Sequence, residues 1–261
     1  MRFLCVRLMK RDYELNIDER LAFFKNLIAP YGGFVVLDTG IIGGFDFSAL
    51  LKHEEIHGSE LKETLSAECN LLGRLHKLFK EGNFVFPHEV CAEYKFMTNL
   101  LEDYGRDNGE NGWYIPLIRA RRQLFNDLPR VCEVLPDAIL QYGLTIENTV
   151  LDISREVYDS NPHLKYGRAS KTGLPSNKFN DERILAKSFA LSYICPTRVV
   201  SCDRDFVDIY QGIALNADRF MQRGVPSLPD NPFELVFVGK NGSTELLDFS
   251  RVRRRRTHGD N

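Results

Sequence analysis

Two kinds of apolar pattern recur along this chain, and their order predicts the fold. Short, unbroken runs such as Phe34-Val35-Val36-Leu37, Phe84-Val85-Phe86 and Arg198-Val199-Val200-Ser201-Cys202 are rich in β-branched and aromatic residues. Such runs suit strands buried on both faces of a parallel sheet. Between them, apolar residues fall at helical spacing. Leu21, Phe24, Leu27 and Ile28 share one face of a segment over 18–29, and Pro30-Tyr31-Gly32-Gly33 ends it. Residues 46–80 read as helix with a break at Gly58-Ser59. Pro87 opens a helix through Val90, Phe96, Met97 and Leu100, where its missing N–H costs nothing. Further helices are predicted over 115–125, over 181–194 and from Asp205.

Residues 103–112 are polar and read as a loop, and the pattern weakens from 126 to 178. The span 105–178 is therefore expected to be an insertion. Glu234–Val238 and Glu245–Phe249 flank Lys240-Asn241-Gly242, a hairpin signal. Strands alternating with helices predict an α/β fold with a central, mainly parallel sheet flanked by helices. The expectation is a single domain over 1–250, with residues 1–32 as an N-terminal extension. A basic, disordered tail is expected over 251–261.

The chain has 261 residues, with 34 Lys and Arg against 36 Asp and Glu, for a formal charge of −2. The distribution says more than the sum. Arg251-Val252-Arg253-Arg254-Arg255-Arg256 carries five positive charges, and without them the remainder stands at −7. Six scattered cysteines form no C-x-x-C pair, which suits reduced thiols and a cytoplasmic setting. Charges interrupt every apolar run among the first eleven residues, unlike a signal peptide, and no stretch reaches the ~20 apolar residues of a membrane span.

The candidate chemistry lies in acids at the ends of the predicted elements. Asp38 ends the first strand. Glu93 lies two turns into the helix after the second. Asp181 opens the helix before the third strand, and Asp203 and Asp205 follow that strand. In an open α/β sheet, residues beyond the carboxyl ends of the strands converge on the functional crevice. Carboxylates gathered there repel one another, and a divalent cation relieves the repulsion. Oxygen ligands favour Mg2+ or Mn2+, the ions of metal-assisted phosphodiester cleavage. Singly, an Asp at a strand end is more often a turn former or helix cap than a functional acid. Glu89, Glu182 and Asp208 are expected to be solvated neighbours.

Four segments together resemble the ordered motifs of PIN-domain ribonucleases. They are Val35-Val36-Leu37-Asp38-Thr39, Phe86-Pro87-His88-Glu89-Val90-Cys91-Ala92-Glu93, Asn180-Asp181-Glu182-Arg183-Ile184-Leu185-Ala186 and Val199-Val200-Ser201-Cys202-Asp203-Arg204-Asp205-Phe206. The last two look most like PIN domains found fused to PhoH-type ATPases, although no phosphate-binding loop accompanies them. The resemblance covers less than half of the chain. It implies a PIN-like fold and an endoribonuclease that uses Mg2+ or Mn2+ and leaves a 5′-phosphate and a 3′-hydroxyl. It implies metal-binding or catalytic roles for Asp38, Glu93, Asp181 and Asp203, an auxiliary role for Asp205 and an orienting hydroxyl at Ser201. Gly40 stands where that family commonly has Ser or Asn. The long span between Glu93 and Asp181 departs from small toxin-type members and suggests an added recognition element.

Weaker signals accompany these. Arg119 and Arg122, one turn apart, are candidates for substrate phosphates or for a solvated helix face. Trp113-Tyr114 is a candidate base-stacking pair or a loop anchor. His53-Glu54-Glu55-Ile56-His57 is a literal H-E-x-x-H, which on a helix suits a zinc peptidase, but Gly58-Ser59 follows at once and no usual third ligand appears, so a charged surface helix is the favoured reading. The competing functions are therefore a non-cleaving RNA-binding or assembly module and, more remotely, a zinc peptidase. RNA is the expected partner, and homo-oligomers remain open.

Overall fold

The computed structural model describes residues 17–28, 31–42, 58–107, 109, 111–161, 179–239 and 243–258. Among these residues, four strands and twelve helices form an α/β fold. Strands β1 (Phe34–Leu37), β2 (Thr197–Ser201) and β3 (Phe233–Val238) are parallel, and β4 (Thr244–Asp248) returns antiparallel to β3. The sheet order is β1-β2-β3-β4. Each parallel run is buried because helices cover both faces, which is why it reads as unbroken apolar sequence. Gly33 leads into β1 where a Cβ would lie 1.9 Å from the carbonyl oxygen of Pro196, so only glycine fits.

The expected second strand is reduced to isolated parallel bridges, Val35 with Phe84 and Phe86 with Arg130. Gly82-Asn83 before it and Pro87 after it leave three residues, too few for a ladder. These bridges still define the topology. The chain leaves β1, lies beside it at Phe84, moves outward to Arg130, and returns on the other side of β1 as β2. The strand order therefore reverses between β1 and β2.

The helices follow the same logic. Helix α1 (Ile17–Ile28) precedes β1, and α2 (Thr39–Ile42) is a single turn after it. Helix α3 (Gly58–Glu81) leads to the bridges, and α4 (His88–Asp107) follows Pro87. Helix α4 runs through the first half of the predicted loop. The chain is helical again from Asn111 as α5 (Asn111–Gln123), which packs on α4 and sets the buried Tyr114 ring 6.1 Å from that of Tyr104. Short helices α6 (Val131–Val134) and α7 (Asp137–Leu140) lead into α8 (Gly143–Ser160). Helix α9 (Asn180–Leu191) precedes β2, and α10 (Arg204–Leu215) and α11 (Asp218–Gln222) follow it.

The span expected to be an insertion supplies core. Ile146, Val150 and Ile153 of α8 are buried in the main apolar cluster, and α8 packs on α9 and α10. The arginine-rich segment also departs from expectation. It is helix α12 (Phe249–His258), anchored by Phe249 against Phe189, Tyr210 and Phe233. Cys69, Cys91, Cys132 and Cys195 are free thiols, whereas Cys202 is disulfide-bonded and so departs from the reduced reading. None of the described helices is long and apolar enough to cross a membrane. Residues 53–57, with the H-E-x-x-H match, lie outside the described residues.

Candidate metal centre

The strand register brings Asp38 beside Ser201. Leu37 pairs with Val200, so the next residue, Asp38, is level with Ser201. The Asp38 amide donates to the carbonyl of Val200 at 3.0 Å and extends the ladder by one bond. Ser201 is fully buried, and its hydroxyl donates to Asp38 Oδ2 at 3.0 Å. The Ser201 hydroxyl oxygen also accepts from the backbone N–H of Asp203 at 3.0 Å. Ser201 thus ties the carboxyl ends of β1 and β2 into one unit, in keeping with the orienting role expected for it.

Asp203 is the N-cap of α10. Its backbone is extended, and its Oδ1 accepts from the Asp205 N–H at 3.1 Å. The bland capping role therefore holds. Asp181 lies in the first turn of α9. Carboxylate oxygens of Asp181, Asp203 and Asp205 all lie within 4.8 Å of one another. Two helix N-termini meet at this corner, and their partial positive charge offsets part of the repulsion. Phe179, two residues before Asp181, has φ 76°, in the left-handed region. A bulky side chain there costs about 1–3 kcal/mol, strain of a kind that clusters at functional sites.

Glu93 reaches the same place from α4. Its Oε2 accepts from the Thr39 hydroxyl, one residue beyond Asp38, at 3.1 Å. Asp38 reports the whole arrangement. It is buried, and desolvation pushes its carboxyl well above the usual range, with the charges of Asp181, Glu93 and Asp203 adding to the shift and the Ser201 hydroxyl opposing it. All five acids singled out in the sequence therefore meet at one corner. It is the point where the strand order reverses, beyond the carboxyl ends of β1 and β2.

Sequence reasoning missed the residues that hold this corner. Glu89 is buried, and both its oxygens accept from Lys187 Nζ, at 2.5 and 2.7 Å. Glu89 precedes Glu93 by one turn of α4, and Lys187 lies on α9, so the pair clamps the two helices that carry Glu93 and Asp181. Glu182 is 1% exposed and accepts from the buried Ser154 of α8 at 2.8 Å. One residue on, Arg183 pairs with Glu147 of α8 at 3.0 Å. Neither Glu89 nor Glu182 is a solvated neighbour, because each has a long-range partner that no local pattern reveals. Asp208 is half-buried, and burial raises its carboxyl.

The basic candidates fare differently. Arg119 is exposed on α5, while Arg122 pairs with Glu102 at 2.5 Å. Glu102 lies nine residues beyond Glu93 on α4, about 13 Å along the helix at 1.5 Å per residue. Arg121, between them, is buried and stacks on Tyr94, with its centre 4.1 Å from the ring centroid. Tyr114 is core, whereas Trp113 is exposed. Comparison with family models, with curated proteins and with solved structures finds no match to this chain.

Proposed function

We propose that the protein is a metal-dependent endoribonuclease with a PIN-like core. The observation that supports this reading most is the meeting of Asp38, Glu93, Asp181, Asp203 and Asp205 at the reversal point of a mainly parallel sheet. The order of the four motif segments in the sequence adds to it.

The donor set fits a hard divalent cation. Mg2+ binds oxygen at about 2.0–2.1 Å, so opposite ligands of one ion lie about 4.2 Å apart. Oxygens of Asp181, Asp203 and Asp205 all lie within 4.8 Å of one another, within a small side-chain adjustment of that value. These three acids would hold the ion, with Asp38 and Glu93 facing the same space. When bound, Mg2+ or Mn2+ supplies a water of lowered pKa and neutralises charge developing on the phosphate.

The chain's own groups do the positioning. Ser201 fixes Asp38 by donating to its Oδ2. Thr39 donates to Glu93 Oε2 and holds that carboxylate beside it. These two carboxylates are the acceptors that would orient a water toward a phosphodiester. The proposed products are a 5′-phosphate and a 3′-hydroxyl, as the resemblance implies.

The test is cleavage of an end-labelled mixed-sequence RNA with Mn2+ or EDTA, by the native protein and by Asp38→Asn and Asp203→Asn. Metal-dependent cleavage that falls at least about a hundredfold in both variants is expected. RNA binding without metal-dependent cleavage by the native protein would establish the non-cleaving module instead. Cleavage unaffected by either substitution would refute the site.

A further inference from the structure

Helix α12 places Arg251, Arg253, Arg254, Arg255 and Arg256 within two turns. Arg251 is spaced i,i+3 and i,i+4 from Arg254 and Arg255, and Arg253 is i,i+3 from Arg256. Like charges at these spacings destabilise a helix. What holds this one is at its start. Phe249 is buried, Val252 packs against the core, and the Arg251 N–H donates to Asp248 Oδ1 at 2.7 Å. Arg253 pairs with Asp218 at 2.7 Å. Arg251 and Arg254 are exposed.

The position of α12 in the fold separates it from the acidic corner. Strands β1, β2 and β3 are parallel, so their carboxyl ends lie on the acidic side. Strand β4 is antiparallel to β3, and α12 starts directly after it, at the opposite end of the sheet. The molecule is thus bipolar, with a remainder of formal charge −7 and a cationic helix that starts at the end of the sheet opposite the acidic corner. A body with that charge repels a polyanion, and the arginines are where one can be held.

We propose that α12 is a docking surface for the phosphate backbone of single-stranded RNA, acting apart from the acidic corner. The choice of RNA as the polyanion rests on the nuclease reading. A lipid surface fits less well, because an interfacial helix needs an exposed apolar face, and the apolar residues of α12, Phe249 and Val252, face the core. The neutralising phosphates also relieve the repulsion among the arginines. Since the two regions lie at opposite ends of the sheet, an RNA must be long enough to reach both.

The test uses the full chain in EDTA, so that no cutting intervenes. Fluorescent single-stranded RNAs of about 4 and about 20 nucleotides are titrated across roughly 50–200 mM salt. The native protein is compared with a variant carrying Arg251→Gln, Arg254→Gln, Arg255→Gln and Arg256→Gln, and with the matching set of Arg→Lys changes. Arg253 is retained because it pairs with Asp218. The Gln variant should bind the longer RNA at least tenfold more weakly at low salt. Its plot of log K against log salt should be shallower by up to about 3, at about 0.7 for each phosphate that is no longer neutralised. The Lys variant should keep both, and the short RNA, which offers fewer phosphates, should show the same order of the three proteins with a smaller change of slope. Equal slopes and affinities for native and Gln proteins would overturn the proposal. So would loss of binding to phosphatidylserine vesicles with RNA binding intact. Binding in EDTA does not depend on cleavage, so a failed cleavage assay and a failed docking assay are separate results.

Discussion

Helix α9 has two ends in contrasting surroundings. At its first turn Asp181 faces Asp38, Asp203 and Asp205, and like charges gather. Two turns further on, Phe189 is fully buried among Tyr193, Phe220, Phe233 and Phe249, with ring centroids 4.6 to 5.8 Å apart. The aromatic end gains from every neighbour it packs against. The acidic end is held against its own repulsion by Ser201, Thr39, two helix N-termini and the Lys187–Glu89 clamp. Proteins depart from local favourability mainly at functional sites, and here the departure and the convergence of five acids coincide. The difference predicts opposite responses to substitution at the two ends.

The largest effect on stability belongs to the aromatic end. Phe189→Ala should cost about 3–5 kcal/mol, from reduced burial and the cavity left behind. Urea denaturation measures it. The activity of the molecules that remain folded should be close to native, since the ring touches no candidate ligand. A cost under about 1 kcal/mol would mean that this cluster does not anchor α9.

The clamp between the ends comes next. Lys187→Met leaves Glu89 buried without its cation and should cost about 2–4 kcal/mol, less than a fully buried pair because the lysine is partly exposed. Adding Glu89→Leu should recover much of that loss. The double variant separates stability from positioning. If the clamp orients Glu93 and Asp181, the affinity for Mn2+ should remain reduced about 10–100-fold while the fold is restored. Restoration of both would reduce the clamp to packing.

The acidic end should respond with the opposite sign. Burial and neighbouring carboxylates raise the Asp38 carboxyl, so its charged form is disfavoured in the fold. The folded state then holds its proton more tightly than the unfolded state, and stability from this group falls as pH rises above the ordinary carboxylate value. Asp38→Asn removes that cost. At neutral pH the metal-free variant should be more stable by about 1–2 kcal/mol, the usual size of such a gain at a functional site. Its gain over native should shrink as pH is lowered and Asp38 protonates. Mn2+ should raise the melting temperature of the native protein and do so much less for Asp38→Asn. An apo Asp38→Asn protein less stable than native would show that Asp38 is held by favourable contacts rather than against repulsion.

How much of this is legible in the sequence follows from which interactions are local. The runs at Val35–Leu37 and Val199–Val200 betray double burial directly, and acids at their ends mark the sheet edge where the carboxylates gather. The residues that support that edge give no such signal. Glu89 finds Lys187 ninety-eight positions away, and Ser154 finds Glu182 twenty-eight away. Helix α8 is obscured because Thr149 and Ser154 lie on its buried face. Thr149 returns its hydroxyl hydrogen bond to the carbonyl of Thr145, so its polarity does not exclude it from the core. Like charge makes the arginine run look disordered, whereas the Phe249 anchor and Asp218 partner that make it helical depend on the tertiary structure.

The smallest predicted effect is the finest probe of the acidic end. Gly40 is an exposed position between buried neighbours, and a Cβ there would lie 3.0 Å from Cys202 Sγ and 3.3 Å from Asp38 Oδ2. In Gly40→Ala, the gain of up to about 1 kcal/mol from replacing glycine in a helical turn opposes that crowding, so net stability should change by less than about 1 kcal/mol. The crowding acts on the carboxylate, however, and Mn2+ affinity should fall several-fold with the fold unaltered. Gly40→Ser adds the same crowding together with a hydroxyl able to donate to Asp38. If Ser matches or exceeds native affinity where Ala does not, a missing donor limits this corner. If both fall alike, the glycine is there for room, and the Ser201 hydroxyl is the donor that steadies Asp38. Isothermal titration with Mn2+ on the three proteins distinguishes these cases.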